Sequence, residues 1–201
     1  MAETAATRSA ALALTDERAL MRQGYEFLDE KRMLVAAEML RGLTQHEALL
    51  AQLVQLLNAA QAALRQALLR HGLEGLLAYP PITPAPARPQ IKRSLFLGVP
   101  LLTAALPSQT SAEPEAVDAS PEARNCRAAF VDLLPLLVDL AACTNNLERL
   151  AAEYRRTERR ARALENVLLP EIERSLATIE GQLELADQEE ALRIRLAGQR
   201  R

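Results

Sequence analysis

The densest chemistry in this 201-residue chain is cationic. The stretch "YRRTERRARALENVLLPEIERSL", Tyr154 to Leu176, holds Arg155, Arg156, Arg159, Arg160 and Arg162 within eight residues. Forked guanidinium donors of this kind bind phosphate or carboxylate, so the natural complement is a nucleic acid or an acidic protein face. Nucleic acid fits poorly. The chain carries a formal net charge of −2, no aromatic residue interleaves the arginines for base stacking, and Glu148, Glu153, Glu158 and Glu165 lie beside or within the run. The remaining candidates for chemistry are scattered. His46 and His71 are isolated, and neither belongs to an HExxH or a nucleophile–base pattern. Cys126 and Cys143 have no short metal or redox spacing, which suits a reducing compartment. Glu189 and Glu190 are adjacent and would face different ways on a helix. There is no GxxxxGK[ST] or GxGxxG loop. From these residues we expect no catalytic residue, no cofactor and no metal.

The elements that must position the arginines are helices. The chain is 49% hydrophobic but only 3% aromatic, so its apolar content is mostly Ala and Leu, both strong helix formers. Nine of the eleven prolines fall between Pro80 and Pro121 and divide the chain into two proline-poor arms and a proline-rich middle. The expected layout is a tail at 1–14, a long helix at 15–78, a middle lobe at 79–121, a second long helix at 122–197 and a tail at 198–201. Such helices need a partner along their length, and one chain with a turning middle makes an antiparallel pair. The expected fold is therefore all-α: a long antiparallel two-helix coiled coil with a small irregular or β-hairpin middle lobe. A shorter bundle of three or more helices is the alternative if either arm breaks.

The apolar stripes give the candidate seam. In the second arm Leu150, Ala161, Ile172, Leu183 and Ile194 recur every eleven residues, with Leu168 and Ile179 on the same stripe and Leu164 at its edge. In the first arm the stripe runs through Leu28, Val35, Met39, Leu43, Leu50, Leu57, Leu64 and Leu68. An eleven-residue repeat predicts a nearly straight or gently right-handed pair rather than a heptad coil. Pro135 is expected near the start of the second helix and Pro170 as a kink in a helix that continues past it. With Arg155 at 0°, the five arginines span about −20° to 140°, while Leu150, Ala161, Leu168 and Ile172 fall at about 220° to 260°. The arginines therefore form an outward face, roughly opposite the seam, available to something acidic.

In the middle, Ala78 to Pro89 excludes helix. The partial alternation of Gln90 to Leu106, with Gly98 suited to a turn, predicts a short hairpin over about 90–106. Pro107 to Ala123 is acidic and Pro/Ser-rich, and is expected to be a mobile loop. No apolar run of about 18 residues exists, so no membrane insertion is expected.

These residues resemble the D subunit of V-type and archaeal-type rotary ATPases. "RRTERRARALENVLLPEIERSLATIEGQLE" is similar to that family's C-terminal signature at Thr157, Arg160, Ala163, Leu164, Glu165, Val167 and Pro170. "GYEFLDEKRMLV" is similar to its N-terminal pattern at Gly24, Leu28, Lys31 and Arg32, "ATR" (Thr7, Arg8) to its opening, and Leu97-Gly98-Val99 to its central turn. The family's Val-Asn before Ala-Leu-Glu is Ala161-Arg162 here. The resemblance implies the central rotor stalk, a non-catalytic axle coupling ATP hydrolysis or synthesis to ion translocation. It also implies the partners: the A and B subunits of the head, the F subunit of the central stalk, and the subunit that seats the rotor on the membrane ring. The chain would then be cytoplasmic and peripheral to the membrane, and its preference for arginine over lysine (only Lys31 and Lys92) suits a bacterial gene. The five arginines would contact the stator or the F subunit. The alternatives are a coiled-coil stalk of a flagellar or type III export ATPase and a nucleic-acid-binding rod.

Overall fold

The computed structural model describes residues 7–77, 79, 88–106 and 120–199. Helix α1 spans Arg8–Leu77, strands β1 (Gln90–Phe96) and β2 (Val99–Ala105) form an antiparallel hairpin, and helix α2 spans Pro121–Ala163. A π-helical turn, Leu164–Leu168, joins α2 directly to α3, Leu169–Gln199. The described residues are thus all-α apart from one two-stranded sheet. It divides into two units, one of Met1–Leu34 with Tyr154–Arg201 and one of Val35–Glu153.

Local chemistry sets the helix ends. Helix α1 begins at Arg8 rather than Thr15, because Thr7 caps it: the Ala10 N–H donates to Thr7 Oγ1 at 3.2 Å, and the Ala-rich segment that follows is strongly helical. Near its other end Gly72 breaks the helical geometry at φ 65°, ψ 174°, a conformation open to glycine alone. Ser120 caps α2, accepting from the Ala123 N–H at 3.1 Å, with Pro121 at the first helical position. The second long helix, expected from 122, therefore starts at Pro121, where the expected mobile loop over Pro107 to Ala123 overlapped it. The rest of that loop, and most of the proline-rich stretch Ala78 to Pro89, lies outside the described residues. Pro135 is consequently not near a helix start but within α2, on its exposed side.

The hairpin turns at Leu97-Gly98, both with positive φ (49° and 84°), the two-residue geometry that matches strand twist. Leu97 adopts this conformation without glycine's freedom, and Gly98 supplies it next door.

In the Val35–Glu153 unit, α1 and α2 run antiparallel. Gly42 lies against Leu147, and Arg70 pairs with Glu122 at 2.8 Å. The seam departs from the expected stripe. Buried and half-buried positions of α1 in this unit include Val35, Met39, Gly42, His46, Leu49, Leu53, Ala60, Leu64 and Ala67, mostly three or four residues apart, and Leu68 is half-buried beside them. On α2 they include Glu122, Cys126, Ala129, Leu133, Leu136, Leu140, Cys143, Leu147 and Leu150, spaced alternately four and three residues apart as in a heptad seam. Over this unit the spacing is that of heptads, and of the eleven-residue stripe it contains Leu150 alone, which is buried. Leu50 and Leu57, expected in the core, are 40% and 39% exposed, and Leu43 is exposed too. The cause is the Leu-Leu doublets: Leu49-Leu50 offers leucine to two neighbouring faces. Small residues decide between them, since Gly42 admits the Leu147 side chain and a Cβ there would sit 2.9 Å from Leu147 Cδ2.

The other unit is also antiparallel, with Arg8 paired to Asp187 at 3.2 Å and Arg22 to Glu173 at 3.1 Å. Its seam includes Leu28 at a half-buried position and Thr157, Ala161, Ile172, Leu176 and Ile179 buried, with Leu183 half-buried. Between Ala161 and Ile172 the helix widens into the π turn, where the Leu169 N–H donates to Leu164 O, five residues back. The turn inserts one residue into the heptad spacing. Leu169 therefore takes the half-buried place expected for Leu168, which is 40% exposed, and Ile194 at the far end is also exposed. Pro170 explains the position of the turn. Its ring would collide with the Asn166 carbonyl in a regular α-turn, and a widened turn immediately upstream relieves that clash while the helix continues.

Candidate interaction surfaces

The arginine run lies on the last turns of α2. Arg155, Arg156, Arg159, Arg160 and Arg162 are all exposed, and the two buried residues among them are Thr157 and Ala161. The alternation follows from the seam: positions 157 and 161 face inward, so their neighbours face out. Arg162 donates to Glu158 at 2.6 Å, one turn away. The other four form no ion pair with any described residue. Four guanidinium groups without an ion pair among the described residues, within six positions of sequence, make a basic surface suited to carboxylates.

Two signature glycine–leucine positions meet. A Cβ on Gly24 would lie 3.7 Å from Leu164 Cδ1, so the N-terminal pattern and the C-terminal signature are in contact within one unit. Of the other signature residues, Thr157 is buried, Ala163 and Glu165 are exposed, and Lys31, Arg32 and Pro170 are half-buried. Arg32 bonds Asp29 within α1.

The isolated titratable residues take structural places. The His71 ring bonds Ser120 Oγ through Nε2 at 2.6 Å and stands edge-on to Tyr79, tying the end of α1 to the cap of α2. Beside it, hydrogen bonds from its own backbone N–H and from Arg70 hold the Glu122 carboxyl below the usual glutamate range, against the opposing effect of burial. Burial pushes both cysteine thiols up, and Cys143 donates from Sγ to Gly42 O at 3.5 Å. Both cysteines are free. Glu189 pairs loosely with Arg193 at 3.9 Å, and His46 is half-buried on the α1 seam. Among the described residues, no cluster of three or more His, Cys, Asp or Glu could hold a metal, and no helix is long and apolar enough to cross a membrane.

One arrangement was not visible from sequence. Asn146 on α2 reads the β2 backbone at two points, accepting from the Leu102 N–H and donating to the Leu102 carbonyl, each at 2.7 Å. Arg149, one turn on, donates to the Pro100 carbonyl at 2.8 Å. Together they bond three backbone groups on one edge of the hairpin and hold it on the helix. Nothing in "TNNLER" signals this, because the strand that Asn146 meets is 44 residues away in sequence. Against this junction lies a cleft of about 270 Å³, lined in part by Glu38, Gly42, Asp139 and Cys143.

Similarity to known proteins extends over both helical arms and the hairpin between them. The family model described as the D subunit of ATP synthase matches residues 10–199. A V-type ATP synthase D subunit of Treponema pallidum, the one numbered 2, is 30% identical over 186 residues, covering 92% of this chain and 89% of the relative. The V-type ATP synthase D subunit of Thermotoga neapolitana is 27% identical, with 95% of each chain covered, and that of Anaeromyxobacter dehalogenans 30%, covering 97% of this chain and 95% of the relative. With the match spanning both arms and the hairpin, the chain belongs to the family of ATP synthase D subunits.

Proposed function

We propose that this chain is the non-catalytic central-stalk axle of a V/A-type rotary ATPase, coupling ATP hydrolysis or synthesis in the head to ion translocation across a membrane. Its partners are then the A and B subunits of the head, the F subunit of the central stalk and the subunit that seats the rotor on the membrane ring. The observation that carries the reading is the match to D subunits of V-type ATP synthases over most of the chain, joined to antiparallel helix pairing in each unit. An axle requires a stiff helical seam and outward surfaces that successive stator faces can push, and it has no need of a reaction centre. The unpaired arginines Arg155, Arg156, Arg159 and Arg160, with Arg162, are the surface we assign to acidic stator segments or to the F subunit.

Each exposed ion pair contributes only about 0–1 kcal/mol, so torque is shared among many contacts. The test is reconstitution of the A/B head, the F subunit and the membrane ring with either the wild-type chain or one carrying Arg155→Gln, Arg156→Gln, Arg159→Gln and Arg160→Gln. The quadruple variant is expected to fold normally and to weaken assembly or uncouple ATPase activity from pumping. A single replacement is expected to do little. Normal assembly and coupled pumping in the quadruple variant overturns the assignment of this face. Failure of the wild-type chain to join the head at all overturns the axle reading itself.

A further inference from the structure

The hairpin has two edges, and among the described residues only the β2 edge is bonded to the rest of the chain. With a two-residue turn closed by Phe96 and Val99, the hydrogen-bonded pairs are Phe96 with Val99, Ser94 with Leu101, Lys92 with Thr103 and Gln90 with Ala105. The intervening residues turn their N–H and C=O outward. On β2 these are Pro100, Leu102 and Ala104, and Asn146 and Arg149 reach Leu102 and Pro100 from that side. On β1 they are Ile91, Arg93 and Leu95, which make no backbone hydrogen bond with any described residue beyond the hairpin. Their side chains share one face of the strand, where Ile91 is 55% and Leu95 79% exposed. An open strand edge flanked by exposed apolar side chains is a template for a further strand.

Charge selects what can add. From residue 88 to residue 106 the chain carries Arg88, Lys92 and Arg93 and no Asp or Glu, in a protein whose net charge is −2. Neither Lys92 nor Arg93 forms an ion pair with a described residue. A second copy of β1 would set these cations against themselves, since like charges directly opposite on paired strands repel. A strand with carboxylates opposite Arg93 and Lys92, and apolar side chains opposite Ile91 and Leu95, satisfies every exposed group at once. We propose that the outer edge of β1 docks an extended acidic segment of a partner protein, which adds to the hairpin as a third strand. Paired antiparallel, that segment reads apolar, polar, acidic, acidic, apolar from its N-terminus, facing Leu95 through Ile91.

The probe is the capped heptapeptide Thr-Val-Ser-Glu-Glu-Val-Thr, with Lys-Lys replacing Glu-Glu as the control, added to the full chain. The readout is amide exchange resolved by residue in NMR spectra. The acidic peptide is expected to slow exchange at Ile91, Arg93 and Leu95 by about tenfold or more, leaving Lys92 and Ser94 little changed, and the effect should fade in high salt. The lysine peptide should do nothing. Arg93→Pro removes one outward N–H and one charge while sparing the β1–β2 ladder, because the residue lies at a non-hydrogen-bonded position, as Pro100 does. That variant should keep its Lys92 and Ser94 protection and lose the response to the peptide. A combined Lys92→Glu, Arg93→Glu variant should reverse the preference between the two peptides. Equal protection by both peptides, or by neither, overturns the proposal. So does protection that rises with protein concentration alone, which would mark a contact between copies, and so does protection given only by phosphatidylglycerol vesicles, which would mark a lipid surface.

Discussion

Replacing Asn146 by alanine tests the claim that one side chain holds the hairpin on its helix. The substitution removes two hydrogen bonds of 2.7 Å and leaves the Leu102 N–H and C=O, both part-buried, without partners. Each lost bond costs about 1 kcal/mol net, and incompletely rehydrated groups add to that, giving about 2–4 kcal/mol for the local docking equilibrium. At 1.4 kcal/mol per tenfold, opening should become about 30- to 700-fold more frequent. The observable is the exchange rate of the Leu102 amide in the full chain, compared with amides on the buried seam such as Cys143. The seam should be almost unaffected, because Asn146 supports the hairpin and not the α1–α2 contact. Asn146→Asp refines the test. It keeps an acceptor for the Leu102 N–H but sets a carboxylate oxygen against the Leu102 carbonyl, so it should be no better than alanine despite near-identical shape. Arg149→Ala, which removes a single bond to the exposed-side Pro100 carbonyl, should have a smaller effect of about 1 kcal/mol or less. Unchanged Leu102 exchange in Asn146→Ala would refute the reasoning, and equal acceleration across the seam would show that the hairpin and the helix pair open as one.

The π turn makes a second prediction: Leu168→Asp, at an exposed position, should lower stability by under about 1 kcal/mol, whereas Ile172→Asp, 7% exposed, should lower it by about 3 kcal/mol or more. Similar melting temperatures for the two would remove the one-residue shift in the seam. Gly42→Leu should destabilise by about 1–3 kcal/mol through overpacking on Leu147. Gly42→Ala should be near neutral in thermal melts, because a helix-propensity gain of about 1 kcal/mol offsets displacement of a flexible leucine end. Glu122 has its carboxyl pKa lowered in the fold, so its contribution to stability is present above the ordinary glutamate value of about 4.3 and is lost as pH falls through the lower folded value. Glu122→Gln should flatten the acid limb of the stability–pH curve, measured by chemical denaturation, and an unaltered limb would show that Glu122 does not report on folding.

Composition alone determined the class of this protein. Ala and Leu with few bulky aromatics favour long paired helices, and the nine prolines gathered in 80–121 locate the break between them. Gly98 in an alternating run placed the hairpin turn, and the signature from Thr157 to Pro170 carried the family resemblance. The outward arginines were also legible, because helical angle depends only on sequence position. The tertiary structure decided the register. Where leucines come in doublets, hydrophobicity favours two faces equally, and the choice falls to small residues such as Gly42 and Ala60 that let the partner helix approach. The apparent eleven-residue repeat is a heptad seam carrying one inserted residue. A proline announces some disturbance in the helix, but whether a π turn or a bend absorbs it depends on the partner packed against Ala161 and Ile172. The Asn146 clamp was the least visible feature of all: it joins a polar residue on a helix to the backbone of a strand 44 positions away, and only folding brings the two together.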